Sequence, residues 1–209
     1  MCGIAGFWGA PDAALLATMT ARIAHRGPDG EGFFEHPLAS LGHRRLAIID
    51  PAGGHQPVGT DDGSVQLTYN GEVYNFRELR AELIARGHRF RSQCDSEVVV
   101  HGYEEWGDEI IQRAIGMFAF ALWSSRERRL LLARDAMGMK PLYYWWANPA
   151  TLVFASEVTA FLGLPGFTRA ADRRSLRQFL ELGFIYDLDR TSLEGVFERN
   201  AVPPLDDRR

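Results

Sequence analysis

Six short alternating apolar segments restrict the fold more than any other feature of the chain. They are Ile4-Ala5-Gly6-Phe7-Trp8, Val65-Gln66-Leu67-Thr68-Tyr69, Met117 to Trp123, Leu130 to Ala133, Leu142 to Trp146 and Leu152 to Ala155. Runs of this length and pattern read as strands. Turn signals separate them, clearest at Asp61-Asp62-Gly63-Ser64, and Ala147-Asn148-Pro149-Ala150 stands between two strong runs as a hairpin connection should. Neighbouring strands are therefore expected to pair antiparallel.

Helical periodicity is interspersed with these strands. Leu15, Leu16, Met19 and Ile23 recur at three to four residues after Pro11-Asp12, and Leu79, Leu83 and Ile84 do so again. The second helix has Asn75 as its expected N-cap, Glu78 placed for a capping box and Gly87 as its stop. A third helix is expected from Ser96 to Trp106, capped by Asp95 or Ser96, and a shorter one from about Asp172 to Leu182. Hairpin-forming strands with amphipathic helices predict an α+β fold: a four-layer αββα sandwich of two antiparallel sheets flanked by helices. The last residues, with Pro203-Pro204 and the run Asp206-Asp207-Arg208-Arg209, are expected to stay disordered.

Composition narrows the function classes. With 209 residues and 46% hydrophobic content the chain can bury a sizeable core. A net charge of -4 with scattered Lys and Arg gives no footprint for nucleic acid. No apolar run reaches the roughly 18 residues of a membrane helix, and no secretory leader is apparent, so the expected location is cytoplasmic. His25, His43, His55, His88 and His101 show no recognisable metal-ligand spacing, so no metal is expected.

Cys2 carries the sharpest chemical signal. A small second residue permits removal of Met1, which would leave a thiol and a free α-amino group on one residue. An α-amino group with a reference pKa of about 7.7–8.0 is partly unprotonated near neutrality, so it can take the thiol proton. The opening Met1-Cys2-Gly3-Ile4-Ala5-Gly6 resembles that of the class II glutamine amidotransferases, which are N-terminal-nucleophile (Ntn) hydrolases. Six further motifs are similar, in order, to the glutaminase half of asparagine synthetases. These are His25-Arg26-Gly27-Pro28-Asp29, His43-Arg44-Arg45-Leu46-Ala47-Ile48-Ile49-Asp50, Tyr69-Asn70-Gly71-Glu72-Val73-Tyr74-Asn75, Cys94-Asp95-Ser96-Glu97, Arg134-Asp135 through Tyr143-Tyr144, and Phe154-Ala155-Ser156-Glu157.

The resemblance implies an Ntn-hydrolase fold over residues 2–195 and hydrolysis of L-glutamine to glutamate and ammonia through a Cys2 thioester. It assigns the oxyanion hole to Asn70 and Gly71, and substrate contacts to Arg45, Leu46, Ala47, Ile48, Ile49, Asn70, Gly71, Glu72 and Asp95. The chemistry agrees with those assignments. A guanidinium at Arg45 suits the α-carboxylate of glutamine, and Asp95 with Glu72 suits its α-ammonium. Read without the family, Asn70-Gly71 is a strand ending in an Asn-Gly turn, Arg45 a solvated charge, Asp95 a helix N-cap, and Cys94 a tucked-in thiol.

The synthetase half of such enzymes carries a Ser-Gly-Gly-x-Asp-Ser loop for pyrophosphate, which this sequence lacks. ATP and Mg would belong to that missing domain, and the glutaminase step is expected to need no cofactor. Residues 196–209 depart from the family and are expected to form a divergent, disordered tail. The chain then reads as an excised domain, a truncated product, or a subunit delivering ammonia to a synthetase partner. Two other readings are a silent glutamine-binding or interaction module and a hydrolase for another amide.

Overall fold

Strand register decides which side chains reach which layer of this protein. The computed structural model describes residues 1–187 and 189–198. The elements run β1 (Gly3–Trp8), α1 (Ala13–Arg22), β2 (Gly30–His36), β3 (Ala39–Arg45), β4 (Val58–Gly59), β5 (Val65–Val73), α2 (Phe76–Ala85), α3 (Ser96–Trp106), α4 (Ile110–Arg113), β6 (Gly116–Ser124), β7 (Arg129–Arg134), β8 (Tyr143–Asn148), β9 (Thr151–Ala155), α5 (Arg173–Leu182) and β10 (Val196–Glu198). They build a six-stranded sheet in the order β10-β8-β9-β1-β3-β2 and a four-stranded sheet in the order β4-β5-β6-β7. All the strand pairs within them are antiparallel.

Three apolar clusters fill the spaces between four layers. Ala5, Phe7, Val153 and Ala155 face Leu16, Met19 and Ile23 in and after α1. On the other face of the same sheet, Ile4, Leu41, Leu152 and Phe154 meet Ala119, Ala121, Trp123, Leu130 and Leu132 of the second sheet. That second sheet turns Leu67, Tyr69, Phe118, Phe120 and Leu131 toward Leu79, Leu83, Val98 and Val99 of α2 and α3. Successive residues of β1, β6, β7 and β9 thus belong to different clusters, as a two-residue period requires. Each large side chain so enclosed contributes about 1.5–3 kcal/mol. The expected αββα sandwich is the observed one.

Four strands, β2, β3, β4 and β10, have no counterpart in the apolar pattern. β3 buries His43 and Arg45 on the face that carries Ala39 and Leu41, and Ser40 on the other, so polar residues break the apolar pattern on both faces. β10 pairs with β8 through Val196, Phe197 and Glu198, and Glu198 forms an ion pair with Arg134 at 2.8 Å. Ordered structure therefore passes the expected limit at residue 195, and Val196–Glu198 is no disordered tail. Arg199–Arg209 lie outside the described residues.

Two helix starts also differ from expectation. Asn75 precedes α2, but its side chain bonds Arg113 O and Ile115 N, tying α2 to the segment after α4. Asp95 precedes α3 without capping it, because its carboxylate accepts from Val73 N and the Tyr69 hydroxyl, both at 2.8 Å. Tertiary partners win over local capping at both places. In α1 and α5, Asp12 and Asp172 do cap, accepting from Leu15 N and Ser175 N.

Candidate active site

Cys2 stands one residue before a central strand. β1 lies between β9 and β3, and its pairing of Gly3 with Arg44 sets Cys2 beside Arg45 and Leu46 at the sheet end. Side chains hold this end in place. Ile4 exchanges bonds with Ser156, whose Oγ accepts from Ile4 N at 3.0 Å and whose N donates to Ile4 O at 2.8 Å. Arg26 Nε donates to Cys2 O at 2.9 Å, and Glu157 fixes Arg26 at 2.9 Å. The motifs around Arg26 and Ser156, far apart in sequence, converge on the residue that they position.

The thiol sits against the turn of the next strand. Leu46 N lies 3.4 Å from Cys2 Sγ, and Sγ lies 3.6 Å from Leu46 O. Burial raises the Cys2 pKa; Leu46, the N-terminal charge, Arg45 and Arg26 oppose it without prevailing. The surroundings leave Cys2 mostly protonated near neutrality. Met1 lines the same cavity, and while it is attached the nitrogen of Cys2 is an amide and no base.

The opposite wall comes from the middle of β5. Thr68, Asn70 and Glu72 share the strand face turned away from α3, and Asn70 and Glu72 line the cavity. Asn70 is 1% exposed, and its Nδ2 has no hydrogen-bond partner among the described residues. Phe118 directs both its N and its O to Asp135, away from β5, so its neighbour Gly71 points its own N–H away from β6. On that edge Tyr69 N donates to Gln56 Oε1 and Val73 N to Asp95 Oδ2. The Gly71 N–H between them has no protein acceptor among the described residues.

Asn70-Gly71 is no turn: both residues lie inside β5, opposite Ala119 and Phe118. A Cβ on Gly71 would come within 2.5 Å of Met117 O, so glycine serves the close approach of β6 there.

Arg45 is 8% exposed and thus far from a solvated charge. Its NH1 and NH2 donate to Pro51 O at 2.7 Å and Asp50 O at 2.6 Å, and no carboxylate pairs with it among the described residues. Arg45 thereby closes the loop that follows β3. Leu46, Ile48 and Ile49 of that loop line the cavity, while Ala47 does not; its N–H donates to Asp29 at 2.8 Å. Burial raises the Asp95 pKa against the hydrogen bonds from Val73 and Tyr69. Cys94 donates to Ile49 O at 3.1 Å, and burial with neighbouring Asp95 lifts it to about 11.

The cavity therefore gathers Cys2, Arg45, Leu46, Ile48, Ile49, Asn70, Gly71, Glu72 and Asp95, leaving out only Ala47 of the expected set. Gln56, Tyr69, Met117 and Lys140 also line it. Tyr69 belongs to a quoted motif, and its hydroxyl anchors Asp95. Gln56 carries no local signal, because its role depends on meeting Tyr69 N across the open edge of β5. His43, with the same motif as Arg45, is fully buried against Thr68 at 3.2 Å and held near a pKa of about 3 by burial and Arg45.

The description glutamine amidotransferase domain fits a family profile that matches residues 1–202. An asparagine synthetase [glutamine-hydrolyzing] 2 of Oryza sativa subsp. japonica is 42% identical over 165 residues, covering 77% of this chain and 28% of the relative. Asparagine synthetase [glutamine-hydrolyzing] 3 of Bacillus subtilis (strain 168) is 36% identical over 205 residues, covering 95% and 33%. The chain thus spans about a third of the length of these relatives. Among solved structures, a glutamine phosphoribosylpyrophosphate amidotransferase from B. subtilis has the same fold, with a TM-score of 0.64 at 24% identity over 77% of this chain and 43% of that one. On the profile match and the sandwich architecture together, this chain belongs to the glutamine amidotransferase domain family.

Proposed function

We propose that this domain hydrolyses the side-chain amide of free L-glutamine through a thioester on Cys2. One observation carries the reading. The Cys2 thiol shares a cavity with two donors that have no protein partner among the described residues, the buried Asn70 Nδ2 and the half-buried Gly71 N–H. Preorganised donors of this kind stabilise the oxyanion formed when a thiolate attacks an amide carbon.

Removal of Met1 uncovers the α-amino group, which takes the thiol proton as sulfur attacks. The tetrahedral species collapses with cleavage of the C–N bond, and the same amino group returns the proton to the departing ammonia. A water molecule then attacks the thioester, the C–S bond breaks, and glutamate leaves. Arg45 has three N–H donors beyond the two given to Asp50 and Pro51, and they hold the α-carboxylate. Asp95, anchored through one oxygen, meets the α-ammonium with Glu72, and Leu46, Ile48 and Ile49 wall the side chain.

The curated relatives are named glutamine-hydrolysing asparagine synthetases, and this chain spans about a third of their length. We assign it the ammonia-releasing half-reaction, without a cofactor, in the cytoplasm, and place the acceptor chemistry on a separate domain or subunit. The domain extends at least to Glu198, where β10 closes the sheet edge. No helix of the described residues is long and apolar enough to cross a membrane.

Incubation of Met1-processed protein with glutamine should release ammonia, and acid quenching should trap a mass increase of one glutamyl group on Cys2. Calorimetric glutamine binding without turnover in the processed chain would instead favour a silent binding module. Turnover that ignores Arg45→Ala and prefers another amide would favour a different hydrolase.

A further inference from the structure

A second polar cluster lies outside the cavity, where the loop after α2 crosses α3. His88 in that loop and His101 on α3 stack with ring centroids 5.2 Å apart. Both turn Nδ1 toward the same oxygen, Glu104 Oε2, at 3.8 Å from His88 and 2.9 Å from His101. These three potential ligand atoms lie within 4.8 Å of one another. The outer nitrogens also face carboxylates: His88 Nε2 lies 3.1 Å from Glu105, and His101 Nε2 lies 3.7 Å from Glu97. Those carboxylates are themselves held, Glu105 by Arg86 and Glu97 by Arg91 N, Ser92 N and Ser92 Oγ.

We propose that His88, His101 and Glu104 form a zinc site that pins the loop after α2 to α3. A neutral imidazole has one N–H and one lone pair. His88 Nε2 is within hydrogen-bond reach of Glu105, so with its N–H there its Nδ1 lone pair turns toward Glu104. His101 Nδ1 shares a proton with Glu104 Oε2 at 2.9 Å, and a divalent cation among the three atoms would take the place of that proton and engage both rings at once. Two imidazole nitrogens and one carboxylate oxygen suit Zn²⁺, whose bonds of roughly 2.0–2.2 Å put tetrahedral ligands about 3.3 Å apart. The observed separations bracket that figure.

Carboxylates on the far side of ligating imidazoles complete the pattern of a prepared metal centre, because they fix the tautomer and strengthen the ligand. His88 and Glu104 are partly exposed, which leaves a solvent-facing position for a water ligand, and Phe90 packs edge-on against His101 at 4.8 Å. Twelve residues lie between the two histidines, a spacing that signals nothing until the chain folds. The same helix begins beside Asp95 and Ser96 of the cavity, so the ion would stiffen the segment from His88 to Asp95.

Calorimetric titration of chelator-stripped full-length chain with ZnCl₂ should show one saturable site per chain and a raised melting temperature. His88→Ala and His101→Ala should each weaken binding by at least about 100-fold, and the positioning variant Glu105→Gln by about 10-fold. The double variant Cys2→Ser/Cys94→Ser should retain the site within about twofold on the scale of one hydrogen bond, and the Co²⁺ form of the parent chain should show no thiolate charge-transfer band. Absence of saturable binding to the folded chain would overturn the proposal. So would zinc affinity lost in the thiol double variant, or unmoved by His88→Ala and by Glu104→Gln, whose partly exposed side chain can be exchanged with the fold checked by circular dichroism.

Discussion

Cys2 and Arg45 reach the cavity from strand ends of the six-stranded sheet, whereas Asn70, Gly71 and Glu72 reach it from within β5 of the four-stranded sheet. The first group is placed by side-chain ties: Arg26 to Cys2 O, Asp29 to Ala47 N, and Arg45 to the carbonyls of its own loop. The second is placed by a backbone ladder running from Val65 to Val73 against β6. A ladder fixes donors without reorganisation, as an oxyanion requires. Loop ties can adjust around an incoming amino acid. The difference suggests a division of labour in which the strand wall serves the transition state and the loop wall serves recognition.

The largest expected effect is that of Cys2→Ala, which should lower glutamine hydrolysis by about 10⁴-fold or more, the scale of nucleophile removal in hydrolases. Ammonia release surviving at the parent rate would end the thioester reading. Asn70→Ala should next lower kcat by about 10²–10³-fold with KM nearly constant, as loss of one oxyanion donor does. A rise in KM alone would move Asn70 into the recognition group. Arg45→Lys should raise KM by about 10- to 100-fold with a smaller change in kcat, matching roughly 1.5–3 kcal/mol for a charged hydrogen bond. Steady-state kinetics that showed the reverse split would dissolve the contrast between the two walls.

His43 bridges the two sheets and allows a thermodynamic test. Its folded pKa of about 3 lies below the ordinary 6.5, so between these values the unfolded chain binds a proton that the folded chain does not. Stability should therefore fall as pH drops below 6.5, with this histidine costing about 2 kcal/mol at pH 5. Urea unfolding of His43→Asn should show a flatter pH slope over that window, whatever its stability at pH 7. An unchanged slope would show that the sheets part near His43 before the ring is protonated.

Much of this fold was legible because β1, β6, β7 and β9 are apolar on both faces, which leaves little choice but burial between layers. β3 was not legible. Its buried His43 and Arg45 interrupt the apolar face begun by Ala39 and Leu41, and their burial depends on Thr68 and on a loop that only the fold supplies. The candidate site was legible mainly through family motifs; from the residues alone, Arg45 read as exposed and Asp95 as a cap. Partners far away in sequence decided both cases. Gln56 was missed for the same reason, since its value lies in filling one bonding position on the edge of β5.

The two-residue period of β5 also acts as proofreading for chemistry. A slip of one residue against β6 would turn Tyr69 and Val73 out of the apolar layer beneath α3 and press Thr68, Asn70 and Glu72 into it. Burying three polar groups there without partners costs several kcal/mol, so the misregistered chain is rejected by its own core. The hydrophobic pattern that assembles the sandwich thus guarantees that any molecule able to fold presents its amide donors on the correct side.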